Sequence, residues 1–313
     1  MSSINTNVAA MTALQALTAT NKAMVETQNR ISTGLRVADA SDNAAYWSIA
    51  TTMRSDNKAL STVQDALGLG AATVDTAYTG VNSAISVVDE IKAKLVAARQ
   101  PGVDRAKIQS DIAELQNQLI GNAASATFSG QNWLSVDSSA AGYNATKSIV
   151  SSFQRDSTGA VTVGTIDIDI STAALFDANA AADGILDSKR DAVTGAINAA
   201  GTFDISTLDI SALTDSAADL ATLDGYIKGA DAAISEMTDA ATSLGSVKSR
   251  IGLQQDFVKG LMDAIDRGVG QLVDADMNEE STRLQALQVK QQLGIQALGI
   301  ANSSSQNILQ LFR

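Results

Sequence analysis

Residues 274–281 read Asp-Ala-Asp-Met-Asn-Glu-Glu-Ser and put oxygen donors at Asp274, Asp276 and Asn278. Those are the first, third and fifth positions of a calcium-binding loop. The sixth position of such a loop requires glycine for its sharp turn, and here it is Glu279; the twelfth requires a bidentate glutamate, and here it is Gln285. The pattern fails where the geometry is most demanding, whereas the same acids suit the first turn of a helix, facing the positive end of its dipole. Asp167 and Asp169 place two carboxylates at i, i+2. With no pocket to separate their pKa values, they read as a solvated strand face, not as an acid/base pair. Gly68-Leu69-Gly70 has Thr73 where a dinucleotide fingerprint needs its third glycine, and it sits inside a helical seam. The triplets Asn144-Ala145-Thr146 and Asn302-Ser303-Ser304 match a glycosylation acceptor, a common chance match. The chain has no His and no Cys. That excludes the serine triad, a thiolate nucleophile, a Cys/His zinc site and the His-Glu-x-x-His metalloprotease motif. The sequence therefore predicts no catalytic, metal-binding or cofactor-binding residues, and no enzyme.

What elements would such a chain build? Its 313 residues are 45% hydrophobic, yet aromatics make up only 4%. Ala, Leu, Ile and Val must do the packing, which suits helix against helix. Pro101 is the single proline, so long helices meet few breaks. The net charge of −12 excludes the basic footprint that nucleic acid or an acidic membrane surface requires. No apolar run is long enough to span a bilayer, and the first basic residue is Lys22, so no secretory signal is expected. A chain without cysteine suits the cytosol, or export in an unfolded state.

Positions spaced alternately three and four apart trace two long seams. The first runs Leu60, Val63, Leu67, Gly70, Val74, Ala77, Val81, Ala84, Val88, Ile91, Leu95, Ala98, every position apolar or glycine. Gln100-Pro101-Gly102 ends it, and Asp104 is placed to cap a shorter helix with Ile108, Ile112, Leu115 and Leu119 on one face. The second runs from Leu223 to Leu272, interrupted only by Lys248 and Gln255. Seams from opposite halves of the chain invite each other as partners.

The extremities differ. Residues 2–29 carry only Lys22 and Glu26 as charges, and 284–312 carry only Lys290. A seam survives in each: Ala10, Leu14, Leu17, Asn21, Met24, Gln28, Ile31, Leu35, and Leu284, Leu287, Gln291, Gly294, Leu298, Ala301, Ser305, Ile308, Phe312. Val289, Leu293, Ile295 and Ile300 lie off the second seam. Helices that are apolar or amide-bearing all round are meant to be surrounded. One seam's burial falls well short of the entropy of ordering these segments, so order at 1–35 and 284–313 is expected to come with self-assembly. The middle, 137–221, is rich in Ser, Thr, Ala and Asp and carries twelve acids against four bases. Val161, Val163, Ile166, Ile168 and Ile170 predict a strand, Phe203, Ile205, Leu208 and Ile210 repeat the pattern, and 187–199 is expected to be a short helix. The fold class expected is mainly α, a long antiparallel coiled-coil bundle formed by both chain ends, with a small inserted α+β outer domain.

Residues 1–50, from Met-Ser-Ser-Ile-Asn-Thr-Asn to Tyr-Trp-Ser-Ile-Ala, resemble the amino end of bacterial flagellin. Residues 272–312, from Leu-Val-Asp-Ala-Asp-Met to Leu-Gln-Leu-Phe, resemble its carboxyl end, and 111–135 is similar to its second helix and following turn. The wording of both ends is similar to alphaproteobacterial, rhizobial-type flagellins. The resemblance implies three parts: 1–40 and 273–313 as a terminal coiled coil lining the inner tube, 41–136 and 222–272 as a surrounding helical domain, and 137–221 as a surface-exposed insert. Residues 30–50 would be the elbow between tube and outer helix, with Gly34 permitting the bend and Ser41, Asp42 or Asn43 capping the next helix; 273–283 would be the returning strand.

The function implied is that of the self-assembling subunit of the flagellar filament used in swimming, exported without a cleaved signal. The partners implied are other copies, including sister flagellins, an export chaperone at the C-terminal segment, and the filament cap and hook-junction proteins. Leu14, Leu17, Met24, Ile31, Leu284, Leu287, Leu298, Ile308 and Phe312 are the expected filament-core contacts. Asn29–Ala50 lines up with the segment that plant immune receptors detect, matching at Arg30, Ser32, Thr33, Gly34, Arg36 and Asp42, with Asn43 in place of an aspartate. The rival readings are a hook–filament junction protein, which has similar ends, and a secreted coiled-coil translocator or adhesin. A protease carried in the insert is excluded by the missing histidine.

Overall fold

A computed structural model describes residues 7–179, 183–198 and 200–311, with side chains through Ser303. The chain forms two compact units, one of residues up to Lys58 together with those from Leu261 onward, the other of Ala59–Gly260. Helices α2 (Ala44–Ala98) and α4 (Ala217–Val273) contribute to both.

Within the 59–260 unit, α2 and α4 run antiparallel. Arg99 pairs with Asp224, Lys92 with Asp231 and Lys248 with Asp75, so numbers climb along one helix as they fall along the other. Helix α3 (Arg105–Ser125) runs antiparallel to α2 in the same way, with Lys94 2.6 Å from Asp111 and Asn122 donating to Ser83 at 3.0 Å. Such exposed pairs are worth only about 0–1 kcal/mol each and fix register more than stability. The stability comes from the seam, whose twelve α2 positions from Leu60 to Ala98 are all buried, as the spacing predicts. Ile112 and Leu119 of α3 and Leu223, Ala230, Met237, Leu244, Ile251 and Val258 of α4 are buried as well. At Gly70 a Cβ would lie 2.6 Å from the Ile149 side chain, so glycine lets the inserted segment sit directly on α2.

Helix α2 stops at Ala98, Gly102 takes a left-handed φ of 79°, and Asp104 accepts the Lys107 N–H as the cap of α3. Arg105 seals this corner. Its buried guanidinium donates to the carbonyls of Ala98 and Leu213 and to Asp215, whose carboxyl it holds below the usual range.

The stretch between α3 and α4 is built of small β-pairs and turns. Strands β1 (Thr127–Phe128) and β2 (Gln131–Asn132) pair antiparallel, and β3 (Ser135–Val136) pairs parallel with β6 (Phe176–Asp177). The main hairpin joins β4 (Thr146–Arg155) to β5 (Val161–Asp169), with an irregularity between Val150 and Ser152. Ile166, Ile168 and Ile170 are buried as expected, while Val161 and Val163 point outward. The helix expected over 187–199 is not formed. Asp191 accepts the N–H groups of Val193 and Thr194, Gly195 takes a φ of 75°, and Arg190 bridges to Ile197 and Phe203. Phe203, Ile205, Leu208 and Ile210 are buried, but along turns and not a strand. The cause is the aspartates. Ten of the twelve in 137–221 accept a backbone N–H, seven of them from a residue two or three positions on. A carboxylate one carbon from the backbone reaches the N–H two or three residues on, competing with both helix and ladder. Arg190, fully buried, anchors these turns by donating to the carbonyls of Ile185 and Gly195 and to Glu236 of α4 at 2.6 Å.

In the other unit, α1 (Val8–Thr33) lies along α5 (Met277–Leu311). A small core of Val37, Ala50, Val269 and Val273 sits below them, with Met53 and Ile265 against it.

Candidate assembly site

Asn7 opens α1 by accepting the Ala10 N–H, and the absence of any Pro or Gly before Thr33 lets the helix run unbroken. Three polar ties fix its antiparallel register on α5: Asn7 donates to the Ala301 carbonyl at 2.9 Å, Gln291 donates to Asn21 at 2.8 Å, and Arg30 reaches Glu280 at 3.2 Å. Between them Gly294 lies against Leu17. Glu280 is buried and also faces Arg283 at 3.5 Å. The ion pair Arg30–Glu280 joins residues 250 positions apart, and nothing in the local sequence of either announces it.

Of the expected core contacts, Leu17, Met24, Ile31, Leu284, Leu287 and Leu298 lie half-buried along this seam. Leu14 does not; it is 53% exposed. On α1 the side chains turned to the partner include Ala10, Ala13, Leu17, Thr20, Asn21, Met24, Thr27, Arg30 and Ile31, and of these only Thr27 is fully buried. The side chain of Ile308, and Phe312 altogether, lie outside the described residues. Beyond the seam a second apolar set is left open: Val8, Met11, Leu14 and Val25 on α1, and Val289, Leu293, Ile295 and Ile300 on α5. Val8, Met11, Leu14 and Lys22 line one groove.

The elbow connects this pair to the small core. Gly34 takes φ 72°, the left-handed conformation that ends α1, and its N–H returns to the Arg30 carbonyl. Leu35 bridges Asp274, the Arg36 N–H donates to the Val273 carbonyl at 2.7 Å, and the Ala275 N–H donates to the Gly34 carbonyl. The returning segment is thus a single bridge and not a strand over 273–283, because α5 already begins at Met277. Asp276 caps it by accepting the N–H groups of Asn278 and Glu279, with Glu279 and Glu280 in its first turn. Asp276, Glu279 and Glu280 are therefore engaged in helix starting and in the Arg30 tie.

The Arg36 guanidinium donates to the carbonyls of Gln271 and Leu272, at the negative end of α4. Asp42 accepts the N–H of Ala38 at 2.9 Å, and Asn43 caps α2 by accepting from Ala45 and Tyr46. Asp39 is held below its usual pKa range by the Ser41 hydroxyl and N–H. Ser32 and Thr33 are exposed, the latter donating to the Asn29 carbonyl. So Arg30, Gly34, Arg36, Asp42 and Asn43 all serve the elbow's own geometry. Among the described residues no cluster of three or more Asp, Glu, His or Cys could hold a metal ion, and no helix is long and apolar enough to cross a membrane.

Sequence comparison supplies the last finding. The model of the bacterial flagellin N-terminal helical region matches residues 4–139, and that of the C-terminal helical region matches 227–312. The chain is 54% identical to Flagellin C and 47% identical to Flagellin A of Rhizobium meliloti (strain 1021). It is 45% identical to a flagellin of Brucella melitensis biotype 1. Each of these matches covers the whole of both chains.

Proposed function

The chain belongs to the bacterial flagellin family, a structural and non-enzymatic subunit that polymerises into the extracellular flagellar filament, and from this premise we propose how its parts divide that work. Residues 1–40 and 273–313 form the inner tube, 41–136 and 222–272 the surrounding helical domain, and 137–221 the outward insert. Leu17, Met24, Ile31, Leu284, Leu287 and Leu298 hold the intrachain seam of the tube. Leu14, with the open apolar set around it, meets neighbouring subunits, and Ile308 and Phe312 extend the same contact toward the chain end.

The observation that carries this is the open set itself: eight large apolar side chains exposed on 8–29 of α1 and 284–303 of α5, stretches whose only charges are Lys22, Glu26 and Lys290. Water is a poor partner for that surface, and other copies of it are a good one. In the free subunit α1 and α5 have only their shared seam, so their order depends on assembly. Export proceeds without a cleaved signal, a chaperone covers the C-terminal segment beforehand, and cap and hook-junction proteins contact the same ends, as would sister flagellins. The elbow residues Arg30, Ser32, Thr33, Gly34, Arg36, Asp42 and Asn43 remain a candidate receptor epitope, weakly detected because Ser41, Asn43 and Tyr46 depart from the motif.

Hydrogen exchange tests the reading. Amides of 8–33 and 284–311 should exchange almost freely in the monomer and become protected in the filament, while the 59–98 stretch of α2 is protected in both. Terminal helices already protected in the monomer would count against it.

A further inference from the structure

On the 59–260 unit a cleft of about 320 Å³ opens between α2 and the inserted segment, walled by Leu69, Phe128, Trp133 and Ile149, with Lys147 at its edge. Leu69 is 55% exposed there. Trp133 lies buried in its wall. The cleft therefore presents an apolar wall and a positive charge.

The same unit carries a matching projection. On α4, Leu253 and Phe257 are 70% and 63% exposed, the largest apolar side chains that helix leaves uncovered. Asp256 is exposed beside them, and the three lie at i, i+3, i+4, one helix face. They face away from the buried row Leu244, Ile251, Val258. Nor can they reach the cleft of their own chain. Strand β4 lies between, its Ile149 on the α2 side against Gly70 and its Ser151 carbonyl on the α4 side, taking the Gln254 amide at 2.9 Å.

The geometry points to a contact between copies in which Leu253, Asp256 and Phe257 of one subunit enter the Leu69–Trp133–Lys147 cleft of the next. Apolar groups meet apolar groups, and the Asp256 carboxylate supplies a countercharge for Lys147. Two different patches on one chain make a heterologous contact, the kind that propagates into an open helical array and does not close into a dimer. This rests on the filament reading above and goes beyond it by naming two faces outside the chain ends.

Charge exchange tests it in full-length protein. Lys147→Glu and Asp256→Lys should each raise the critical concentration for polymerisation about tenfold or more. The double variant should restore it, and an equimolar mixture of the two single variants should co-polymerise, because alternating subunits re-form both contacts. The chain has no native cysteine, so Leu69→Cys with Phe257→Cys should give a disulfide-linked ladder in oxidised filaments, while either single variant gives none. If both charge variants polymerise like the parent, or the paired cysteines give no ladder in intact filaments, the contact is refuted. A parent chain that builds no filaments at all overturns the filament reading itself, and the contact with it.

Discussion

The α1–α5 pair and the α2–α3–α4 bundle are written in the same three-four spacing, yet they end in different states. In the bundle every one of the twelve α2 seam positions is buried, and the opposing faces of α3 and α4 close over them. In the pair, the described α5 seam positions Leu284, Leu287, Gln291, Gly294, Leu298 and Ala301 are all only half-buried, and more large apolar residues lie outside the described seam than within it. The difference lies in the charges. The bundle's outer faces carry Asp75, Lys92, Asp224, Asp231 and Lys248, which are content in water. The pair's outer faces carry Val and Ile. A three-four seam shows that a helix has a partner; the composition of its other faces shows whether one partner is enough.

Matched truncations put the largest strain on this contrast. Leu67→Ala empties a fully buried seam position and should cost the free subunit about 2–5 kcal/mol in denaturant unfolding. Leu17→Ala removes the same side chain from a half-buried site on α1. It should leave monomer unfolding nearly unchanged while raising the critical concentration for polymerisation. Equal losses of monomer stability from the two variants would erase the distinction between a self-sufficient seam and a waiting one.

How much of this could be read beforehand follows the same line. The α2 seam was legible to the residue because its apolar positions contrast with charged neighbours. The α1 seam was legible only in part, with Ala10, Leu17, Asn21, Met24, Ile31 and Leu35 half-buried as expected. Leu14 and Gln28 were expected on it but are exposed, and Ala13, Thr20 and Thr27 are turned inward beside the others. In a helix apolar on all sides, size misleads about direction. The insert failed for another reason. Residues 187–199 contain enough Ala to suggest a helix, but Asp191 and Gly195 divert the backbone into turns. The buried arginines Arg105 and Arg190 had no local signal, since their partners Asp215 and Glu236 come from distant positions. The pattern of Asp without a single Glu across 137–221 was the one sign available, because only the shorter acid closes such turns.

Arg190 sharpens the contrast within the bundle's own unit. Arg190→Ala leaves Glu236 facing an emptied site and frees the Ile185 and Gly195 carbonyls. Glu236 keeps some access to water, so the loss should be about 2–3 kcal/mol, below that for breaking a fully enclosed pair. Protection from hydrogen exchange should fall across 183–213 and stay unchanged in α1 and α5. Arg190→Lys, which keeps the charge but not the fork, should recover little of it.

The smallest effect per residue concerns acid. Asp156 is held below its usual range by the Thr158 hydroxyl and the Ala160 N–H, Asp191 by the N–H groups of Thr194 and Val193, and Asp209 by the N–H and hydroxyl of Ser211. At Asp204 burial pushes upward, but Lys189, Ser206 and Thr207 outweigh it and the carboxyl again lies low. A carboxyl with a lowered folded pKa stabilises fully above its unfolded value of 3.8, and that stability is lost as pH falls through the folded value. Asp187, raised by burial, works in the opposite direction, one group against several. The 59–260 unit should therefore lose unfolding stability as the free subunit is acidified from about pH 5 to about pH 2. Changing Asp156, Asp191 and Asp209 together to Asn should flatten that slope. A slope that the three substitutions leave unchanged would place the acid response elsewhere in the molecule.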